Sequence, residues 1–308
     1  MISETNFGYV ADLLRRETAM LCERGKEYLV EARLLPLARQ AGDPDVDRYV
    51  DRLRTDGRER ARAVDALTIN ETSWFRDLAP YQAFTDNVLP QLLSSRAHTR
   101  HLDIWSAACS SGQEAYSIAM LLDEALPAGW TARIHATDVS PSMLERVRTG
   151  RYSQVEMNRG MPATRLVKYF QRVGSEWEIV PSLRSMVTVA PLNLAAPFPP
   201  MPTFDVVLLR NVLIYFDQTT KRDILARVSR TISPDGFLFL GSTETTLDLD
   251  DAWVRETTGP AGRVVVHRPR AGMAAATRPA GAASSAGIAS PTTASTANQL
   301  PTTLRTGA

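Results

Sequence analysis

His101-Leu102-Asp103-Ile104-Trp105 runs into Ser106-Ala107-Ala108-Cys109-Ser110-Ser111-Gly112, and this junction decides the fold. The first five residues read as a short buried strand. From Gln113 onward, Ile118, Met120, Leu121 and Leu122 mark a helix. Small residues between a strand and a helix let backbone come close to a ligand. The three-glycine dinucleotide fingerprint is absent, because Gly112 is the only glycine of the loop. A pyrophosphate cradle is not indicated, and a smaller cofactor with an uncharged tail fits better.

Toward the C-terminus, Arg133-Ile134-His135-Ala136-Thr137 reads as a second strand ending at Asp138. An acid at the carboxyl end of strand two of a doubly wound sheet is placed to accept from ribose hydroxyls. Asp138 is also placed to cap the helix opening at Pro141-Ser142-Met143-Leu144, the lesser alternative. Phe204-Asp205-Val206-Val207-Leu208-Leu209 is the clearest buried parallel strand. It delivers Arg210-Asn211-Val212-Leu213-Ile214-Tyr215-Phe216-Asp217 to the carboxyl edge, where open α/β sheets bind ligands. Pro191-Leu192-Asn193-Leu194 also follows a strand. Asn193 can read a purine edge with its amide, beside Leu194, or serve only as a turn residue.

Toward the N-terminus lies Asn70-Glu71-Thr72-Ser73-Trp74-Phe75-Arg76-Asp77. Asn70, Thr72 and Arg76 offer an amide, a hydroxyl and a guanidinium that can converge on one ligand. The alternative is a Thr72 or Ser73 N-cap opening a helix on two buried aromatics. Residues 6 to 70 read as helices, with Phe7, Val10, Leu13 and Leu14 at helical spacing and a helix start at Asp43-Pro44-Asp45. Their crowded arginines suit a solvated face with interleaved acids or a surface docking an acidic partner. Residues 78 to 96 predict another helix. Residues 151 to 190 interrupt the alternation as a small insertion, with strands expected at Trp177–Val180 and Met186–Val189 around Pro181. Pro234-Asp235-Gly236 reads as a turn, and Phe237–Gly241 and Gly262–Val266 as a late pair of strands. After Pro269, Ala, Thr, Ser, Gly and Pro dominate without periodicity, as in a disordered tail.

Composition excludes several classes. A net charge of +1 over 308 residues argues against a general nucleic-acid binder. Cys22 and Cys109 have no redox or metal spacing, and His98, His101, His135 and His267 are scattered, so no metal site is expected. The start shows no basic region followed by an apolar core, and no apolar run is long enough to span a bilayer. The expectation is a cytoplasmic protein without membrane insertion.

Four of these motifs, in this order, resemble the CheR family of chemoreceptor glutamate methyltransferases, which use S-adenosylmethionine. They are Asn70–Asp77, Ile104–Glu114, Thr137-Asp138-Val139-Ser140 and Arg210–Asp217, and the likeness runs from about Phe7 to Arg268. The resemblance implies an α/β fold: a Rossmann-like S-adenosylmethionine-dependent methyltransferase domain with a small antiparallel β-subdomain, preceded by an all-helical N-terminal domain. The implied boundaries are 1–76, 77–268 with the β-subdomain at about 172–190, and a tail over 269–308. Position by position, it puts cofactor contacts at Asn70, Thr72, Arg76, Glu114, Asp138, Asn193, Leu194, Arg210 and Asn211. The methyl-transfer pair falls on Arg76 and Tyr215. It also implies a monomer that docks the helical bundle of a methyl-accepting receptor through a basic helix holding Arg33 and Arg39. Gln113-Glu114-Ala115-Tyr116 departs from the family's Glu-Glu-Pro-Tyr but keeps the second acid. Pro36 interrupts the docking helix. The short loop near Gly174-Ser175-Glu176 is similar to members that need no receptor pentapeptide tether.

A glutamate carboxylate, with an unperturbed pKa of about 4.3, is ionised near neutrality and needs no general base. Methyl transfer then rests on in-line placement and on removing water from the nucleophile. That accounts for a site without a His or Cys dyad, in which an Arg and a Tyr orient the reactants. Two other readings stay open: a methyltransferase of this fold acting on RNA or a small molecule, and a non-catalytic module that binds cofactor or receptor. The near-neutral charge weighs against RNA, and the retention of Arg76 and Tyr215 against a scaffold.

Overall fold

Four helices come first in the computed structural model, which describes residues 2–259 and 262–270. They are α1 (Glu4–Thr18), α2 (Glu27–Ala41), α3 (Val46–Leu53) and α4 (Gly57–Leu67). Asp45 caps α3 by accepting from the Arg48 N–H at 2.8 Å, so the helix starts at Val46, two residues past Pro44. Phe7, Val10, Leu13, Val30, Leu34, Tyr49, Val50 and Leu67 meet in one core. α2 runs unbroken through Pro36, against the interruption expected from sequence. Proline removes one N–H donor, but Leu34 and Ala38 are fully buried on either side and packing holds the helix.

After an irregular crossing, α5 (Ala79–Ala83), a π turn (Phe84–Val88) and α6 (Leu89–Ser95) follow one another directly. Pro90 accounts for the widened turn: its ring excludes the Asp86 carbonyl, and the Leu89 N–H bonds back to Phe84, five residues earlier.

The rest alternates strand and helix. β1 (His101–Ala107), α7 (Gln113–Ala125), β2 (Thr131–Asp138) and α8 (Pro141–Thr149) lead into an inserted unit. That unit holds β3 (Arg151–Ser153), α9 (Gln154–Met157), α10 (Ala163–Tyr169), β4 (Phe170–Val173), β5 (Glu176–Ile179) and α11 (Pro181–Arg184). Next come β6 (Val187–Pro191), β7 (Phe204–Leu209), a 3-10 turn (Leu213–Tyr215), α12 (Gln218–Val228), β8 (Ile232–Leu240), β9 (Trp253–Thr258) and β10 (Val264–Pro269).

The main sheet has the order β6-β2-β1-β7-β8-β10-β9. Its first five strands pair in parallel, and β10 is antiparallel to both neighbours. Along β7, Val206 and Leu208 enter one core while Val207 and Leu209 enter the other. That period-two split is why the strand reads as continuously apolar: both faces of the sheet are covered.

The sequence misplaced one strand of the insertion. Val187–Pro191 is β6, parallel to β2 in the main sheet, and the small antiparallel sheet takes Arg151–Ser153 instead, in the order β3-β5-β4. The subdomain therefore starts near residue 151 rather than 172. Pro234–Gly236 is not a separate turn but an irregularity within β8, opposite Phe204 and Val206. Phe237–Leu240 and β10 do pair, and β9, which the sequence did not reveal, closes the edge. The tail from residue 271 lies outside the described residues.

Candidate active site

Asn70, Thr72, Arg76, Glu114, Asp138, Asn193, Leu194, Arg210, Asn211 and Tyr215 all line a single pocket at the carboxyl edge of β1, β2 and β7. The β1–α7 loop forms its floor. Ala108 (φ 57), Ser110 (φ 51) and Gly112 (φ 95) adopt left-handed backbone, which folds the loop tightly against its neighbours. A side chain at Gly112 would meet Val147 at 3.0 Å and the Tyr152 hydroxyl at 3.1 Å.

Asp138 ends β2 and is buried. Its Oδ2 accepts from the Ser110 N–H at 2.8 Å and its Oδ1 from the Ser140 N–H at 2.9 Å. Burial pushes its pKa up, and these backbone donors oppose the rise. The capping alternative fails, because Ser140 caps α8 by accepting from the Met143 N–H at 3.2 Å. The Ser140 hydroxyl also reaches Asp65 Oδ1 of α4 at 2.5 Å, joining the helical layer to this strand end.

Glu114, in the first turn of α7, accepts from Ser106 Oγ at 2.8 Å and from Arg210 Nη1 at 3.2 Å. Burial raises its pKa, and the adjacent guanidinium opposes the rise. The Arg210 side chain is only 2% exposed. Its Nη2 donates to the Arg76 carbonyl and to Asp77 Oδ2, each at 2.9 Å. The guanidinium thus faces protein acceptors and ties Glu114 to the backbone that carries Arg76. Its Nε is left without a partner among the described residues.

Residues 74–77 form a turn, not a helix start, and neither Thr72 nor Ser73 caps a helix; α5 opens at Ala79. Trp74 is buried edge-on against Tyr152 and Phe170, with ring centroids 4.8 and 5.4 Å away. Its backbone N–H donates to the Arg159 carbonyl at 3.1 Å. Phe75 (φ 48), Asp77 (φ 66) and Leu78 (φ 29) hold left-handed conformations costly for residues with a Cβ. Aromatic anchors on one side and Arg210 on the other keep the strained turn in place. Arg76 Nη1 donates to the Glu71 carbonyl at 2.9 Å. Asn70 donates to Thr68 Oγ1 at 2.9 Å, and its carbonyl accepts from Ser110 Oγ at 2.8 Å.

Tyr215 is half-buried across the pocket. Burial raises its pKa, and the nearby Arg76 charge opposes the rise. Its carbonyl accepts from the Leu21 N–H at 2.9 Å. Asn193 takes the turn role: its Nδ2 donates to the Glu17 carbonyl at 2.8 Å and its Oδ1 accepts from the Ala195 N–H at 2.9 Å. The amide is thereby tied to the end of α1. Leu194 is buried beside it.

Thr18, Met20 and Thr68 of the helical layer complete the wall, and no motif pointed to them. Nothing local marks Thr18 and Met20, whose partners in the wall lie at Asn70 and beyond. Arg33 is half-buried. Its Nη1 donates to the carbonyls of Leu67 at 2.9 Å and Thr68 at 2.7 Å, the end of α4, whereas Arg39 is exposed. Among the described residues, no group of three or more His, Cys, Asp and Glu could hold a metal ion. No described helix is long and apolar enough to cross a membrane.

An acid ending β2, a close-packed loop after β1 and a second acid in the first turn of α7 suit a nucleoside with an amino-acid tail. Sheet order and pocket together define an S-adenosylmethionine-dependent methyltransferase. The chain belongs to the CheR methyltransferase family: the family's SAM-binding domain matches residues 70–260, and its all-alpha domain residues 5–68. It is 42% identical over 247 residues to Chemotaxis protein methyltransferase 1 of Pseudomonas aeruginosa, covering 77% of this chain and 89% of that protein. It is 40% identical over 248 residues to Chemotaxis protein methyltransferase Cher2 of Pseudomonas putida, with the same coverage of 77% and 89%. Among solved structures, the glycopeptide N-methyltransferase MtfA complexed with sinefungin aligns over 55% of this chain and 53% of its own, at a TM-score of 0.32 and 16% identity.

Proposed function

We propose that this enzyme methylates glutamate side chains on the cytoplasmic helical bundle of a methyl-accepting chemotaxis receptor, leaving glutamyl methyl esters and S-adenosylhomocysteine. The observation that supports it is Arg76 and Tyr215 facing one pocket in a site that needs no general base. Bound S-adenosylmethionine supplies a methyl group made electrophilic by its sulfonium. Asp138 is the acceptor for the ribose hydroxyls, Glu114 lies where the amino-acid tail would pass, and Asn70, Thr72 and Asn211 border them.

Arg76 draws the substrate carboxylate into line. Its bond to the Glu71 carbonyl takes up part of its donor capacity, which limits over-tight pairing that would blunt the nucleophile. The Tyr215 hydroxyl, kept protonated by its raised pKa, donates to a substrate oxygen without removing a proton. Half-burial of both side chains leaves less water around the attacking oxygen. Residues 77–268, joined at the pocket by Asn70, Thr72 and Arg76, would carry the chemistry, and the helices of residues 1–76 would meet the receptor as well as close the pocket. Arg39, on the open side of α2, is the more exposed of the two arginines that would meet an acidic receptor face, with Arg33 beside it. Gly174 and Ser175 alone join β4 to β5, which fits docking of a monomer without a pentapeptide tether.

Tritiated-methyl transfer to a panel of receptor cytoplasmic fragments tests this. Wild type should deposit label that mild base releases as methanol. Arg76→Ala and Tyr215→Phe should each lower turnover roughly 100-fold, the scale of losing one transition-state donor. Wild type leaving no base-labile label on any fragment would reject the reading.

A further inference from the structure

Glu244, just beyond β8, does not line the pocket, yet its carboxylate gathers backbone donors from two strand ends. Oε2 accepts from the N–H groups of Asn211 and Gly241, each at 2.7 Å. Oε1 accepts from Leu213 at 2.7 Å and from Ile214 at 3.3 Å. Asn211 sits at φ 58, a left-handed conformation that Asn adopts more readily than most residues with a Cβ. That twist turns successive N–H groups toward one side, a concavity suited to an anion. Gly241 shows how tightly the two ends approach: a Cβ there would lie 2.7 Å from both Glu244 Oε2 and Asn211 Nδ2. The next residue after this anchored stretch is Tyr215.

We propose that Glu244 is a positioning residue for methyl transfer: it holds the backbone of residues 211–214 so that the Tyr215 hydroxyl faces Arg76. This role presupposes the glutamate methylation proposed above, and it acts through Tyr215 rather than on substrate. Glu244→Gln keeps the size but turns an amide N–H₂ toward backbone N–H groups, which cannot accept it.

The test is a double-mutant cycle on receptor-fragment methylation, with amide hydrogen exchange beside it. Glu244→Gln should lower the turnover number about 10- to 100-fold in the wild-type background. In the Tyr215→Phe background it should cost less than about threefold, because residues acting as a unit are not additive. Equal losses in both backgrounds would mean a general structural role and would overturn the proposal. Exchange reads the clamp without any substrate. Glu244→Gln should lose protection at Leu213 and Ile214 while the strands keep theirs, and unchanged protection there overturns the proposal even if no receptor fragment is methylated. Should Glu244→Gln fail to fold, Gly241→Ala presses a methyl against the same carboxylate and should give the same Tyr215-dependent loss.

Discussion

A buried acid with its charge half-answered is the feature that prepares Asp138 for a ligand. Both oxygens already accept backbone N–H groups, and burial still keeps the folded-state pKa above its ordinary value. Between the unfolded value, about 3.9, and the raised folded one, the folded state binds more protons than the unfolded. Stability contributed by this group is therefore lost as pH rises through that window, while the ionised acceptor that ribose hydroxyls need appears over the same range. Cofactor affinity should fall on acidification at a pH above the normal carboxylate range. Asp138→Asn should flatten that dependence and weaken binding roughly 10- to 100-fold, the scale of a lost charged hydrogen bond with one backbone donor left unpaired. Calorimetric titration of S-adenosylmethionine across pH checks both, and unchanged affinity in the variant would remove Asp138 from the cofactor site.

The turn carrying Arg76 shows what an element needs beyond its own residues. Trp74 and Phe75 invite a helix-cap reading, and their burial is equally consistent with one. What rules it out is contact from elsewhere: Arg159 and Arg210 take up the backbone N–H of Trp74 and the carbonyl of Arg76. Gly160 makes this fit possible, since at φ 95 a Cβ would lie 2.2 Å from the Trp74 carbonyl oxygen. Gly160→Ala should destabilise the protein by about 2–4 kcal/mol through strain and a backbone clash. Urea denaturation would show it as a lowered midpoint at an unchanged slope; a midpoint within error of wild type would contradict the clash. The misplaced β6 has a similar cause. Met186–Val189 is β-branched and short, and nothing within it specifies whether its partner is β2 or the small sheet. At three residues, β3 is too brief for any alternation to show.

At the scale of the molecule, the parallel frame was legible because β7 buries both faces and reads as an apolar run, while β1 and β2 bury their carboxyl ends just before small-residue or acidic loop signals. The pocket's main residues were legible because they lie at the ends of those strands. Arg33 shows the opposite case: an exposed-looking arginine also caps α4, a contact 34 residues away that no local pattern announces. His267 is a second long-range effect. It is 1% exposed, neither ring nitrogen has a partner among the described residues, and burial with Arg255 nearby lowers its pKa to about 4. Below about pH 6.5 the unfolded chain takes up a proton that the folded one refuses, so stability falls as pH drops toward 4. His267→Phe should abolish about 2 kcal/mol of the loss between pH 7 and pH 5. Denaturation of both proteins at the two pH values measures it, and parallel losses would show that His267 is not the group responsible.

Thr18, Met20 and Thr68 stand in the pocket wall, and the Leu21 N–H holds the Tyr215 carbonyl. A sheet half expressed alone from residue 77 would then carry a nucleoside cleft open to bulk water along one flank. Two co-produced pieces divided there would regain turnover only on rejoining, so their activity would report their own reunion.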